Sequence, residues 1–495
     1  VEPTLRDCKG KTTLLLGILH ELGVKADAVL VNSSAGDLIS GRLPMLNVFD
    51  HVLVRAELNG KTYWLDGTRS GDGSLDAIDV PEFSWGLPIV TSAKLVAINP
   101  PPLTVPDTEV AVSIDATQGV FAPATFKVER ILRSDTARAT NTVLAKLSPA
   151  QLQQTQTGFW KQTYDYVTPK ETKFTFDRKK AELRLTMSGE AKLEWKDNWF
   201  YVPNSNLAYE PDFERTSGIN RDAPFALAYP NYEVSHVEIR FPPGFSPSQP
   251  KIPAPVRETL AGVEYSRTVK LENNMLTLDR AERTILPEIA YKDAQAAAGR
   301  LKALANDDVY LRVPSGYQMT EGDRKVRISE KPASAQSFID RGLLLLDAGK
   351  TDEAIADFDE AVKLDPQNSY AWANRGIAHA WKNDGKEAPD LAKASELDPD
   401  NPVVPRGRAV AAEMRGDFPT AIKEYTVAIE KDPSNTFAYM HRASSYYAAG
   451  EPQKALADTD ELLKKGQKSA NVRLLRANIL RARRTTSELS GRRSF

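Results

Sequence analysis

The chain has 495 residues, roughly three domains at about 150 residues each, and its 41% hydrophobic and 26% charged content suits a protein that buries a large core. Lys plus Arg number 64 against 66 Asp plus Glu, a formal charge of -2 that disfavours a nucleic acid or an anionic membrane as obligatory partner. A single cysteine excludes an internal disulfide framework and a cysteine-based zinc cluster. The five histidines show no HExxH or short pairing, so no metal and no cofactor is expected, and no apolar run reaches the roughly 18 residues of a membrane span.

The first residue is Val1 and a helical pattern begins almost at once, so the chain reads as cut at its front. Residues 9–22 carry Leu15, Ile18, Leu19 and Leu22 at helical spacing and stop at Gly23. Residues 28–31, 51–58 and 61–66 read as strands, the last two flanking Asn59-Gly60, the dipeptide best suited to a two-residue type I′ turn. Pro100, Pro101, Pro102 and Pro106 then mark a linker, which bounds a first domain at 1–98. Residues 107–310 favour alternating strands, predicting an antiparallel, sandwich-like β domain with a helical interruption over 149–160 and a helix over 287–305. Its Trp160, Trp195, Trp199 and Tyr201 read as core rather than as a glycan platform, and His236 as a strand histidine without a ligand set.

After a polar connector at 311–333 the sequence repeats. Arg341-Gly342, Arg375-Gly376, Arg408-Ala409 and Arg442-Ala443 recur at steps of 34, 33 and 34 residues, each followed thirteen residues later by Ala354, Ala388, Ala421 or Ala455. Pro366, Pro399 and Pro433 close the first three units. Small residues at 342, 376, 409 and 443 allow two helices to approach, and Phe358, Trp372, Tyr425 and Tyr439 fill the space between repeats. This pattern resembles tetratricopeptide repeats, giving a C-terminal all-α solenoid over 334–495. The second unit lacks one residue and has Pro389 where the first has Ile355, which predicts a shortened second helix. A capping helix over 470–483 and a disordered basic end follow, with ten Lys and Arg between 464 and 495 against Glu488 alone.

Two places invite chemistry. Gly10-Lys11-Thr12 suggests a phosphate loop, but the motif needs glycine where Leu5 stands, and no buried strand precedes it. Cys8 is the better candidate, because a thiol at a helix start feels unpaired N–H groups and the positive end of the helix dipole, which favour the nucleophilic thiolate. With Leu58 opposite Lys61 across the turn, His51 and Asp66 become diagonal neighbours on one strand face, within side-chain reach. Val52, Val54, Ala56, Leu58, Tyr63 and Leu65 then take the opposite face as core, leaving the first to His51, Asp66 and Trp64. A carboxylate orients an imidazole, and an imidazole takes a thiol's proton, so Cys8, His51 and Asp66 make a candidate catalytic triad.

Asp7-Cys8-Lys9 entering Thr13-Leu14-Leu15-Leu16, then Phe49-Asp50-His51-Val52, then Tyr63-Trp64-Leu65-Asp66-Gly67-Thr68, resemble the transglutaminase-like superfamily, in particular its bacterial multidomain members with β-rich domains of uncharacterised function. The resemblance implies a multidomain α+β protein with a partial, N-terminally incomplete papain-like core. It implies Cys8 as nucleophile, His51 as general base and acid, and Asp66 as the group that orients the imidazole. A cysteine peptidase, amidase or acyltransferase acting on a protein or peptide substrate through a thioester is then expected, with hydrolysis favoured over crosslinking. The same resemblance implies a periplasmic or envelope location in a bacterium. The competing expectation is a non-catalytic assembly protein that holds a protein partner in the groove of its repeats.

Overall fold

The computed structural model describes residues 8–33, 39, 48–69, 74–75, 78–81, 83–215, 222–467 and 469–491, with side chains described as far as Arg481. Leu5, Asp7, Lys468, Arg492 and Arg493, all used in reading the sequence, fall outside the described residues, as do the side chains of Arg483 and Arg484. The chain divides into two compact units, Val1–Asp323 and Arg324–Phe495.

The first unit opens with α1 (Cys8–Glu21), followed by β1 (Lys25–Val31), β2 (His51–Leu58), β3 (Lys61–Leu65), β4 (Trp85–Pro88) and β5 (Val96–Ala97). These strands form an antiparallel sheet in the order β3-β2-β1-β4-β5. The hairpin pairs Leu58 with Lys61 and Val54 with Leu65, the register drawn from Asn59-Gly60. Both turn residues have positive φ, 52° and 76°, as a type I′ turn requires. Ala26, Val54 and Ala56 pack under Leu15, Leu16 and Leu19 of α1.

The opposite sheet face is a second apolar layer, which corrects the expectation of a face given over to His51, Asp66 and Trp64. Val29, Val31, Leu53 and Ile98 are buried there with Trp64, Val80 and Phe83. The physical reason is coverage: Val80, Phe83 and Ile98, from the segments around β4 and β5, add side chains that a reading of the hairpin alone omits.

The chain continues through β6 (Thr108–Asp115), β7 (Ala124–Arg133), α2 (Ser134–Leu144), α3 (Pro149–Thr163), β8 (Val167–Asp177), β9 (Glu182–Ala191), β10 (Trp199–Tyr201), β11 (Phe225–Ala226), β12 (Tyr232–Arg240), β13 (Ser248–Lys251), β14 (Val256–Leu260), β15 (Val263–Glu272), β16 (Met275–Thr284), β17 (Glu288–Ile289), α4 (Tyr291–Ala305) and β18 (Tyr310–Arg312). Eight of these strands make one curled half-barrel sheet, ordered β14-β15-β16-β12-β6-β7-β9-β8. Its neighbours are antiparallel except for β12 beside β6. Strand alternation sends Val112, Ile114, Phe126, Val128 and Leu183 into a core that also takes Trp160 of α3, and Phe200 and Leu311 of the small sheet β10-β18-β13. Trp195 packs against the same core, whereas Tyr201 is exposed. Asp79, in the segment after β3, accepts hydrogen bonds from Ser134 Oγ (2.9 Å) and Arg138 Nη1 (3.2 Å), tying the first sheet to α2.

The span expected as a polar connector is ordered. Besides β18 it holds α5 (Glu321–Ser329), within which the division between the units falls. Buried Asp323 accepts from the backbone N–H of Phe121 and Ala122 and from the Tyr317 hydroxyl, so a carboxylate anchors this segment to the first unit.

The second unit is a helical array: α6 (Ala335–Asp347), α7 (Thr351–Leu364), α8 (Ser369–Lys382), α9 (Glu387–Leu397), α10 (Val403–Met414), α11 (Phe418–Lys431), α12 (Thr436–Ala448), α13 (Pro452–Lys464) and α14 (Ala470–Gly491). The small residues stand where the helices touch. A Cβ on Gly342 would lie 2.6 Å from Phe358 Cε1, and one on Gly376 2.9 Å from Leu391 Cγ. The second unit's shortened helix is α9, 11 residues against 14 in α7 and α11, with Pro389 in its first turn. The arginine that marks each repeat has a structural partner in three of them. Arg341 chelates Asp357, Arg375 chelates Asp390 and Arg442 chelates Asp458, each through Nε and Nη2 at 2.6 to 2.9 Å. All three carboxylates are buried.

Candidate functional site

In the array, exposed apolar side chains gather on the first helix of each pair. Leu343 of α6, Tyr370 of α8, Met414 of α10 and Tyr447 of α12 are 39%, 46%, 39% and 38% exposed. Among the described residues of the four pairs, the other large apolar side chain so exposed is Leu364, at the end of α7. Counted from the small residue of each repeat at about 100° per residue, the four fall between roughly 40° and 140°, on one helix face. Asn374, Trp381, Arg406, Glu413, Phe437 and His441 fall on that face too, within about 160°.

Those six form a cluster bridging three first helices. Arg406 donates from Nη2 to Asn374 Oδ1 at 3.0 Å, and its guanidinium lies 5.5 Å from the Phe437 ring centre. Glu413 accepts from the Tyr425 hydroxyl at 2.6 Å and meets His441 Nδ1 at 3.1 Å. Phe437 stacks on the His441 ring at 4.0 Å, and Trp381 meets it edge-on at 5.7 Å. Burial, reinforced by the Glu413 charge, pushes the Tyr425 hydroxyl far up, so it stays a donor to that carboxylate. Sequence reading missed this cluster because it followed the arginines that align the repeats. The usable signal was the helical angle from each small residue, which puts Arg406 and Asn374 on the open face.

The second candidate lies in the first unit. Cys8 is the first residue of α1 and is half-buried. Gly67 abuts the first turn of that helix: a Cβ on it would stand 3.0 Å from Lys11 Cβ and 3.5 Å from Thr12 N. The residue after Asp66 therefore touches the turn that begins with Cys8. His51 Nε2 and Asp66 Oδ2 are 2.9 Å apart, and both side chains are 18% exposed. Asp66 Oδ1 accepts from Thr68 N at 2.8 Å and Thr68 Oγ1 at 2.6 Å. Burial pushes the Asp66 carboxyl up, but the Thr68 and His51 hydrogen bonds outweigh it and hold the group below the ordinary carboxylate range. Thr68 was not singled out from sequence, although Asp followed two residues later by Thr is the signature of a side-chain-capped turn. The Phe83 ring, 5.9 Å from the imidazole, walls one side.

His236 lies between two carboxylates, with Nδ1 2.6 Å from Asp279 and Nε2 3.3 Å from Glu238. The Asp279 hydrogen bond dominates and raises its pKa above the ordinary imidazole value. Among the described residues no group of three or more His, Cys, Asp or Glu side chains is placed to hold a metal ion, and no helix is long and apolar enough to cross a membrane.

Residues 339–402 match a tetratricopeptide repeat family model. The chain is 25% identical over 164 residues to a DnaJ homolog subfamily C member 7 homolog of Schizosaccharomyces pombe, covering 31% of this chain and 30% of that protein. It is 31% identical over 126 residues to the human tetratricopeptide repeat protein 13, covering 24% of this chain and 14% of that protein. The chain thus spans less than a third of either relative. Among solved structures, a tetratricopeptide repeat protein from Parabacteroides merdae is 22% identical, covering 32% of this chain and 63% of that chain at a TM-score of 0.28. The family match reaches none of residues 1–338, so the resemblance of the first 68 residues to the transglutaminase-like superfamily gains no support from it. What stands is a multidomain α+β chain in which a β-rich N-terminal region precedes a C-terminal tetratricopeptide array suited to protein–protein interaction.

Proposed function

We propose that the chain is a docking or assembly protein that holds a segment of a protein partner along the first-helix face of its array. The observation that carries this is the stripe of Leu343, Tyr370, Met414 and Tyr447, apolar groups left open on one face of the first helices. Random 12-residue peptides displayed on phage and selected against the full chain test it. Binders are expected to weaken about tenfold or more when Tyr370→Asp and Met414→Asp are combined. Both positions are exposed, so the fold should be untouched, as circular dichroism would verify. Failure to recover binders, or binders indifferent to the pair, rejects the reading.

A second reading is cysteine chemistry in the first unit, supported by the His51–Asp66 hydrogen bond and by the contact of Gly67 with the first turn of α1. In this reading the Cys8 thiol gives its proton to His51, and its sulfur attacks a carboxamide carbon. His51 returns the proton to the departing amine, leaving a thioester that water cleaves. Asp66 holds the ring through Nε2, which makes Nδ1 the nitrogen that serves the thiol. The check is the pH-dependence of iodoacetamide labelling of Cys8, followed by intact mass. His51→Ala is expected to slow labelling below pH 7 several-fold; equal rates in both proteins would reject an activated thiol.

A further inference from the structure

We propose that the outward face of the three-stranded sheet β10-β18-β13 binds a uronic acid of a glycan, with the sugar ring on Tyr201 and Trp199 and its carboxylate on Arg312. The site lies in the first unit and owes nothing to the repeats. Strand pairing builds it. Trp199 stands opposite Arg312 and Tyr201 opposite Tyr310, while on the other side of β18 Ser248 faces Arg312 and Lys251 faces Tyr310. Phe200 and Leu311, between these residues on β10 and β18, are buried in the core, so alternation turns Trp199, Tyr201, Tyr310 and Arg312 outward together. Trp199, expected in the core, belongs to a surface.

The three rings touch without lying flat. Tyr310 sits in the middle, its ring centre 5.3 Å from that of Trp199 at 76° and 5.7 Å from that of Tyr201 at 47°. Arg312 lies over Trp199 at 5.2 Å and Lys251 over Tyr310 at 5.7 Å. Tyr201, on the edge strand, has no cation over its ring among the described residues and is 60% exposed. The two cations differ in what they have left to give. Lys251 is neutralised by Asp307 at 3.0 Å. Arg312 donates from Nη1 to the amide oxygen of Gln249 at 3.0 Å, which adds no charge, and makes no ion pair among the described residues. It is half-buried rather than enclosed, and none of its nitrogens is shut away from solvent without a partner.

These groups narrow the ligand. An aromatic ring has a negative face that attracts the C–H bonds of a sugar, and the paired N–H groups of a guanidinium match a carboxylate. Rings tilted at 47° and 76° make a stepped cradle, which suits a puckered pyranose better than the flat bases that stack along a nucleic acid strand. The formal charge of -2 on the chain also works against such a strand. A quaternary ammonium, another ligand that aromatic clusters hold, would be repelled by Arg312 and Lys251. One cation without a counter-charge calls for a single negative charge, hence a carboxylate rather than a phosphate.

The test titrates the full chain, by calorimetry, with hexasaccharides of galacturonic, mannuronic and guluronic acid, with the methyl ester of each, and with an oligothymidylate. At least one acid hexasaccharide should bind, about tenfold more tightly than its ester. Tyr201→Ala, at the most exposed of the three rings, should weaken that hexasaccharide about fivefold or more while leaving the circular dichroism spectrum unchanged. Arg312→Gln should bring the acid-to-ester ratio to about one. Failure of every acid hexasaccharide to bind, equal affinity for acid and ester, affinity untouched by Tyr201→Ala, a ratio that survives Arg312→Gln, or tighter binding of the oligothymidylate overturns the site.

Discussion

Asp66 shows how much a single carboxylate depends on its second oxygen. Oδ2 meets His51, but the stronger restraint comes through Oδ1, which accepts two hydrogen bonds from Thr68. Because the folded-state pKa lies below the ordinary value, the stability it contributes is present above the unfolded pKa of about 3.9 and is lost as pH falls through the folded value. Asp66→Asn is therefore expected to lower the urea midpoint at pH 7. The gap from wild type should narrow below about pH 4, as the wild-type carboxyl takes up its proton. A gap independent of pH would mean that the side chain acts by shape rather than charge. The pairing of His51 with Asp66 was legible in sequence because Asn59-Gly60 fixes the register and two strands separated by a two-residue turn have no freedom to slip. The Thr68 clamp was not, since it depends on the chain turning back after β3.

Among the elements, the helix pairs of the array are held by two devices that share one line of sequence. Gly342 lets α6 lie against Phe358 of α7, and the neighbouring Arg341 reaches Asp357, one residue before that phenylalanine. The Asp357 side chain is 6% exposed, so Asp357→Ala would leave a guanidinium without its partner in a half-buried setting. That substitution is expected to destabilise the array by about 3 kcal/mol in urea unfolding. Replacing both partners together, Arg341→Met with Asp357→Leu, should recover most of the loss, because apolar groups of similar volume carry no unmet charge. The repeat spacing was readable because each helix pair must bury the same face against the next, which forces the same residue types at the same interval. The aspartate sixteen residues after Arg341 and Arg442, and fifteen after Arg375 where a residue is missing, carries the same period. The sequence reading passed over it.

At the scale of the whole molecule, each unit owns its core. Trp160, Phe126 and Phe241 are fully buried in the first, Phe358 and Tyr425 in the second. Two unfolding transitions are expected in calorimetry, and Asp357→Ala should move one of them and leave the other in place. A single transition displaced as a whole would show instead that the units unfold together.

The sequence by itself determined the elements whose information is local or periodic: α1 stopping at Gly23, the hairpin around Asn59-Gly60, the strand-rich middle and four helix pairs at intervals of 33 or 34 residues. Tertiary structure alone decided what covers those elements. It covered the second face of the first sheet with Val80, Phe83 and Ile98, and widened the sheet by pairing β4 with β1, more than fifty residues earlier. It tied the connector segment to β-strand loops through a buried carboxylate, Asp323, whose partners lie 202 and 201 residues earlier. Among the described residues it gave Arg341, Arg375 and Arg442 a buried aspartate each and Arg406 no ion pair, because a guanidinium's partner is chosen by which helices pass beside it, and neighbours in space are not written as neighbours in sequence.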